Sequence, residues 1–345
     1  MTLMMKEIGD QPDVLEKILS QYSDRISGLC SIIRDKGIKF MYIAARGTSD
    51  HAAVYAKYLM ETYAGIPVAF AAPSVITLYG GKPDLSDALV VGISQSGKAE
   101  DVIEVIRHAR SQKALTISIT NYEDSPLAVE SEYHFSCLAG EEKSVAATKT
   151  FTAQMMIMAI LASELSGNNG FLKDLIKIPA KIKELLKQTG NIEIIAGGFK
   201  EMQECFVLSR GMNYSIALEG ALKIQETCYV RAKAYAMSDF YHGPLALLDS
   251  RIPAFVIAPK GKTSEDTLAI LKIMKMHNIK TVAVTNDPEV TKLASVAISI
   301  PDDLPDCTSP FLSAVAMQVF ACKLSLAKGL NPDNPRNIKK VTITR

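Results

Sequence analysis

Short, almost continuously apolar runs alternate along this chain with longer stretches in which apolar residues return every three or four positions. Phe40–Ala45, Pro67–Ala71, Ala88–Ile93 and Ala114–Thr120 are of the first kind and read as strands buried on both faces. Asp50–Tyr63, Ala99–Arg110 and Thr148–Leu165 are of the second kind and read as helices. Such alternation predicts a parallel sheet with helices on both sides. A Lys-rich helical stretch, Leu172–Gln188, follows Gly167 and reads as a linker, after which the pattern starts again.

The restart is a repeat. Glu100-Asp101 recurs as Glu265-Asp266 and Thr120-Asn121 as Thr285-Asn286, both with an offset of 165 positions. Between them Leu115-Thr-Ile-Ser-Ile matches Lys280-Thr-Val-Ala-Val in register. Arg46-Gly47 recurs as Arg210-Gly211, each after an apolar run and before a helix ending in Glu-Thr (Glu61-Thr62 and Glu226-Thr227). A repeat of this length indicates two duplicated domains, not a solenoid. A ligand site between two such lobes is the corresponding expectation.

Two turns are suited to an anion. Val90-Val-Gly-Ile-Ser94-Gln95-Ser96-Gly97-Lys98 runs from a buried strand into a Ser/Gly turn and a helix, and Gly47-Thr48-Ser49 forms a similar turn after the first strand. Helix-start N–H groups and hydroxyls favour phosphate there, at the carboxyl ends of parallel strands. Gly92–Lys98 fits GxxxxGK, but Ala99 replaces the hydroxyl that a nucleotide loop places on magnesium, and no GxGxxG is present. The plain alternative is that Ser and Gly are ordinary turn formers. In the second copy, Ala258-Pro-Lys260-Gly261-Lys262 has lost the serines, as expected if only one copy works. A third segment, Ala139–Phe151, reads as a helix start capped by Thr148.

Candidates for proton transfer are few. Glu219, Lys223 and Glu226 share one helix face by their i, i+4, i+7 spacing. On an arbitrary helix this is a solvated ion-pair ladder, but the neighbours Ile216, Ala217, Leu218, Ala221, Leu222 and Ile224 are apolar, which suits a base in a cleft. His242, in Phe240-Tyr-His-Gly-Pro-Leu, is either an exposed loop histidine or a proton donor near neutral pH. In the tail, Ile338, Val341 and Ile343 suggest docking that carries Lys339 or Lys340 with it.

Composition narrows the classes. Lys+Arg at 38 against Asp+Glu at 37 gives a formal charge of +1, so nothing argues for nucleic acid or an anionic membrane. Cys30, Cys137, Cys205, Cys228, Cys307 and Cys322 are scattered without CxxC, which favours reduced thiols and a cytoplasmic protein over disulfides or zinc. The histidines show no metal-ligand spacing. No signal peptide is expected, and Thr152–Leu165, taken as the longest apolar helix, is too short to span a bilayer.

Together these segments resemble the sugar isomerase (SIS) domain family, and specifically the isomerase half of glucosamine-6-phosphate synthase. The resemblance rests on Met5-Lys-Glu-Ile with Gln11-Pro12, Arg46-Gly-Thr-Ser, Ser94-Gln-Ser-Gly, Val145-Ala-Ala-Thr-Lys, Ala217-Leu-Glu-Gly-Ala-Leu-Lys, Tyr241-His-Gly-Pro-Leu-Ala-Leu and Pro335-Arg-Asn-Ile-Lys-Lys. It implies two tandem SIS domains of α/β class, each a flavodoxin-like three-layer sandwich. The expected bounds are 1–168, a linker at 169–191, 192–330 and an active-site tail at 331–345. It also implies a phosphosugar site of Ser49, Ser94, Gln95, Ser96 and Val145, with Lys223 beside the substrate. Glu226 would shuttle a proton between C1 and C2, His242 would open the ring, and Lys340 would form a Schiff base. Neither cofactor nor metal is implied; the expected partner is a small sugar phosphate and the expected assembly a homodimer.

The departures point within the family. The synthase opens with a nucleophilic cysteine and a glutaminase domain, whereas this sequence starts almost at the isomerase; its usual Thr and Glu near the phosphate turn are Ala99 and Lys98 here. Arg46-Gly-Thr-Ser-Asp-His51, Ala72-Pro-Ser, Ala139-Gly-Glu-Glu-Lys and Asn331-Pro-Asp with Lys339-Lys-Val-Thr look most similar to SIS-type glucosamine-6-phosphate deaminases. The expected reaction is therefore conversion of a hexosamine 6-phosphate to fructose 6-phosphate and ammonia. The alternatives are synthesis with ammonia from elsewhere, deglycation, or a sugar-phosphate sensor without chemistry.

Overall fold

The computed structural model describes residues 1–302 and 305–340; Val341 and Ile343 of the expected docking tail lie outside them. The first half runs α1 (Leu3–Gly9), α2 (Gln11–Asp35), β1 (Phe40–Ala45), α3 (Thr48–Leu59), β2 (Val68–Phe70), α4 (Pro73–Thr77), β3 (Ala88–Ile93), α5 (Glu100–Ser111), β4 (Leu115–Thr120), α6 (Pro126–Glu130), β5 (Tyr133–Ser136), α7 (Lys149–Ser166) and α8 (Asn169–Leu186). The second runs α9 (Thr189–Gly197), β6 (Glu204–Ser209), α10 (Tyr214–Cys228), β7 (Arg231–Ala236), α11 (Met237–Phe240), β8 (Ala254–Ile257), α12 (Ser264–Met276), β9 (Thr281–Thr285), α13 (Pro288–Leu293), β10 (Val296–Ser299) and α14 (Ser309–Ala327).

Contacts divide the described chain into two compact units, neither of them continuous in sequence. A first-sheet unit holds Asp13–Glu142, Lys149–Ile176 and the Lys339-Lys340 end; a second-sheet unit holds Met1–Pro12, Lys143–Thr148 and Lys177–Ile338.

In the first-sheet unit the strands are all parallel in the order β2-β1-β3-β4-β5. This is the 2-1-3-4-5 order of flavodoxin-like folds. The central strands β3 and β4 are buried at every residue, which is why neither carries a charge: β3 is apolar throughout, and β4 alternates apolar residues with Thr116, Ser118 and Thr120. The edge strand β5, Tyr-His-Phe-Ser, is half covered and mixed in polarity, so the apolar-run criterion passed over it. Helix α5 packs Val102, Ile103, Val105 and Ile106 onto the sheet in a cluster with Val90 and Leu127.

The second-sheet unit repeats the arrangement: β10-β9-β8-β6-β7, all parallel, is the same order counted from β6. Its core joins Phe206, Leu208, Phe240, Val256, Ile270 and Met274. Here the expectation for the longest apolar helix is corrected. Thr152–Leu165 becomes α7, but α14 is longer, with a mean hydropathy of 1.5 and a composition that could cross a membrane. It is 83% buried and packs on α9 and α10, as the central helix of a folded unit does. All six cysteines are buried and free.

Candidate functional site

Ser94, Gln95 and Ser96 lie in the turn between β3 and α5. Ser94 is buried and its Oγ accepts from the Gly97 N–H at 3.2 Å, while the Ser96 Oγ accepts from the Lys98 N–H at 3.3 Å. The turn is fixed below by Ser94 N–H to Ile119 O (3.1 Å) and Asn121 N–H to Gln95 O (3.0 Å). Gly97 has φ +65°, and a Cβ there would come within 2.2 Å of Ser125 Oγ, so the turn demands glycine on both backbone and steric grounds. The N-cap residue of α5 is Ala99, which has no side chain to cap the helix, and within the first turn the Val102 N–H donates to Asp101 Oδ1 (3.0 Å).

Ser49 is buried in the first turn of α3, after Gly47, beside this loop at the end of the neighbouring strand. Arg46 ties the two turns together: its Nε and Nη2 both lie 2.8 Å from the carboxylate of Asp101, in the first turn of α5. Burial raises the Asp50 carboxyl above its ordinary value, against the pull of His51 and Arg46.

The counterpart loop between β8 and α12 is met by side chains of the same unit. The Lys260 N–H donates to Asn286 Oδ1 (2.8 Å), the Gly261 N–H to Ser264 Oγ (3.0 Å) and the Lys262 N–H to the carboxylate of Asp306 (3.3 Å). A Cβ on Gly261 would stand 1.9 Å from that carboxylate. Arg210 still reaches Asp266 (3.2 Å), the echo of the Arg46–Asp101 pair. The duplicated scaffold thus survives, but an internal carboxylate sits against the second loop where the first offers hydroxyls.

In the second-sheet unit, α10 carries Glu219, Lys223 and Glu226 on one face. The solvated-ladder alternative does not hold, because Lys223 and Glu219 are buried. The Lys223 ammonium lies 2.6 Å from Glu226 and 3.3 Å from Glu219. Burial alone would pull that ammonium down, but the two carboxylates hold it above its ordinary value. Glu226 differs from Glu219 in keeping 23% of its side chain open. His242 follows α11 and is exposed, its N–H donating to Asp239 O (3.0 Å). Val145 is half-buried in the Lys143–Thr148 segment.

Lys340 belongs to the first-sheet unit, where its Nζ lies 2.7 Å from the fully buried carboxylate of Glu142. Glu142 also accepts from Thr150 N–H (3.2 Å) and Thr150 Oγ1 (2.8 Å), so it caps the first turn of α7. Sequence reasoning named Lys340 but missed Glu142, whose only signal was an acid shortly before a helix start. The expected residues therefore fall into two sets. Ser49, Ser94, Gln95, Ser96 and Lys340 are in the first-sheet unit, and Val145, Lys223, Glu226 and His242 in the second-sheet unit.

A duplicated parallel α/β fold, with hydroxyls in one strand-end turn and a carboxylate against its counterpart, defines the class. The chain belongs to the SIS domain family, whose model matches residues 36–164 and again 199–328. A glutamine–fructose-6-phosphate aminotransferase (isomerizing) of Methanosarcina acetivorans is 34% identical over 361 residues, covering 99% of this chain and 58% of that protein. This chain thus spans little more than half the length of that relative. The C-terminal domain of a glucosamine-fructose-6-phosphate aminotransferase from Francisella tularensis superposes with a TM-score of 0.87 at 28% identity, covering 96% of this chain and 98% of that one. A glucosamine-6-phosphate deaminase from Thermotoga maritima shares the fold (TM-score 0.77, 22% identity, 99% of this chain and 100% of that one).

Proposed function

We propose that this chain is an aminosugar-phosphate isomerase acting as a deaminase, with glucosamine 6-phosphate the first substrate to test. The observation that carries the reading is the Lys223–Glu226 pair: a carboxylate open on one side, beside a buried ammonium that fixes its position. That arrangement suits a base that must take and return a proton. The Ser94–Lys98 turn, with Ser49 beside it, supplies the phosphate contacts, and Val145 a contact to the sugar.

In this reading His242 protonates the ring oxygen as the hemiacetal opens to the aldehyde. Glu226 removes the C2 proton, the aldehyde oxygen is protonated, and the resulting enolamine takes the proton back at C1. The product is a ketimine at C2. Lys340, having given up a proton, adds to C2 as ammonia departs; water then cleaves that Schiff base to fructose 6-phosphate and restores the amine. Glu142, 2.7 Å from the Lys340 nitrogen, is placed to hold the proton that Lys340 releases.

A second reading, synthesis of glucosamine 6-phosphate, is favoured by the aminotransferase relatives and uses the same groups in reverse. The deciding experiment measures ammonia release with product identification over a panel of hexosamine 6-phosphates. A parallel assay starts from fructose 6-phosphate with ammonium or with glutamine. Ammonia and fructose 6-phosphate from one panel member support the deaminase; turnover only in the synthetic direction supports the second reading. Binding without turnover in any assay would leave a sensor.

A further inference from the structure

The opening motif Met5-Lys-Glu-Ile with Gln11 has no part in the chemistry above, yet two of its polar side chains are buried, Glu7 at 4% exposure and Gln11 at 0%. Within the second-sheet unit Glu7 reaches the segment Lys143–Thr148 directly and Gln11 reaches it through Gln318. The Glu7 carboxylate accepts from the Lys143 N–H at 2.5 Å and from the Ser144 N–H at 3.2 Å. At the segment's other end the Gln11 amide donates to Gln318 Oε1 (2.9 Å), and the Gln318 amide donates to the carbonyl of Thr148 (3.3 Å).

Asp333 closes the circuit. Its carboxylate accepts from the N–H groups of Leu3 (2.8 Å) and Met4 (2.7 Å) at the start of α1, and its carbonyl from the Val145 N–H (3.4 Å). Helix α1 packs on α14, which also carries Gln318. Three successive N–H groups of a segment without helix or strand are thus met by acceptors from the two ends of the chain. Such a segment owes its rigidity to these outside partners, since it has no ladder of its own.

We propose that Glu7 and Gln11 are positioning residues: they hold the two ends of Lys143–Thr148 so that Val145, between the anchors, meets the sugar in a fixed conformation. This rests on the reading of Val145 as a substrate contact. Holding a binding segment in its bound shape before the ligand arrives raises affinity by removing an ordering cost. Loss of the clamp should therefore appear in binding far more than in the chemical step.

The test is Glu7→Gln, which keeps the size but turns an NH2 toward a backbone N–H, and Gln318→Leu, which cuts the other anchor. The expected result is about a tenfold rise in KM and in the Kd for fructose 6-phosphate, with kcat within about threefold. Hydrogen exchange at Ser144 and Val145 should quicken, and a core variant matched in Tm, Ile270→Val, should move none of these. Unchanged exchange in both clamp variants overturns the clamp. Faster exchange with unchanged KM and Kd overturns the positioning role. Wild-type protein that neither binds fructose 6-phosphate nor turns over hexosamine 6-phosphates would overturn the functional reading instead. The exchange comparison still decides the clamp in that case, and Gln318→Leu carries it if Glu7→Gln does not fold.

Discussion

The ammonium of Lys223 lies 2.6 Å from a carboxylate oxygen of Glu226, the lysine sealed from solvent and the carboxylate open on one side. The pair gives Glu226 a fixed direction without using all of its lone pairs. Glu226→Gln keeps shape and hydrogen-bonding capacity but removes the base. Fructose 6-phosphate should still bind while turnover falls by at least ~100-fold, and exchange of the C2 proton with solvent should vanish with it. Intact turnover in this variant would reduce the pair to a structural one, and lost binding would make Glu226 a substrate-holding group.

Removing the other partner should act on stability first. Lys223→Met keeps the stem but takes the ammonium away from the buried carboxylate of Glu219, which is 1% exposed. The expected cost is about 3–5 kcal/mol in a denaturant titration. Because the folded Lys223 ionises above its ordinary value, its stabilisation is complete below that value and is lost only as pH rises through the still higher folded one. The deficit should accordingly be the same at about pH 6 and about pH 9; a deficit that disappears at the higher pH contradicts a buried, charged Lys223.

The two duplicated turns should respond unequally. Ser94→Ala with Ser96→Ala removes two hydroxyls from the first turn, each worth about 1.5–3 kcal/mol toward a charged ligand. Fructose 6-phosphate binding should weaken by at least ~100-fold. Lys260→Ala and Lys262→Ala alter a loop already occupied by Asn286, Ser264 and Asp306, and should change binding little. Equal losses, read by calorimetry, would mean that the working copy has been misassigned.

Alkaline pH should destabilise the fold through its buried thiols. Burial pushes the Cys30 thiol from 9.0 up to about 12, so the unfolded chain loses this proton first and stability falls as pH climbs between those values. The slope from this thiol is about 1.4 kcal/mol per pH unit. Cys137, Cys205, Cys228 and Cys322 are raised for the same reason and add to it. Denaturant midpoints at about pH 8 and about pH 10 should converge more closely for Cys30→Ala than for the wild type. Parallel shifts in the two proteins would show that Cys30 does not titrate as a buried thiol.

Sequence alone determined that two copies of one α/β unit lie in tandem. Largely apolar runs mark strands covered on both faces, and paired offsets such as Glu100-Asp101 with Glu265-Asp266 mark the repeat, each aspartate meeting the arginine of its own copy. It also placed Ser94, Gln95 and Ser96 at a strand end, since strand-to-helix turns are local. What it could not decide was what covers a face or fills a loop. The i, i+4, i+7 spacing put Glu219, Lys223 and Glu226 in a row, but whether that row is solvated depends on surroundings remote in sequence. Edge strand β5 escaped because its pairing with β4, not its composition, makes it a strand. Only tertiary packing brought Asp306 to the second loop, Glu142 to Lys340, and Glu7 to Lys143 and Ser144. These partners are separated by tens to hundreds of residues, and no periodic pattern encodes a contact between side chains so far apart along the chain.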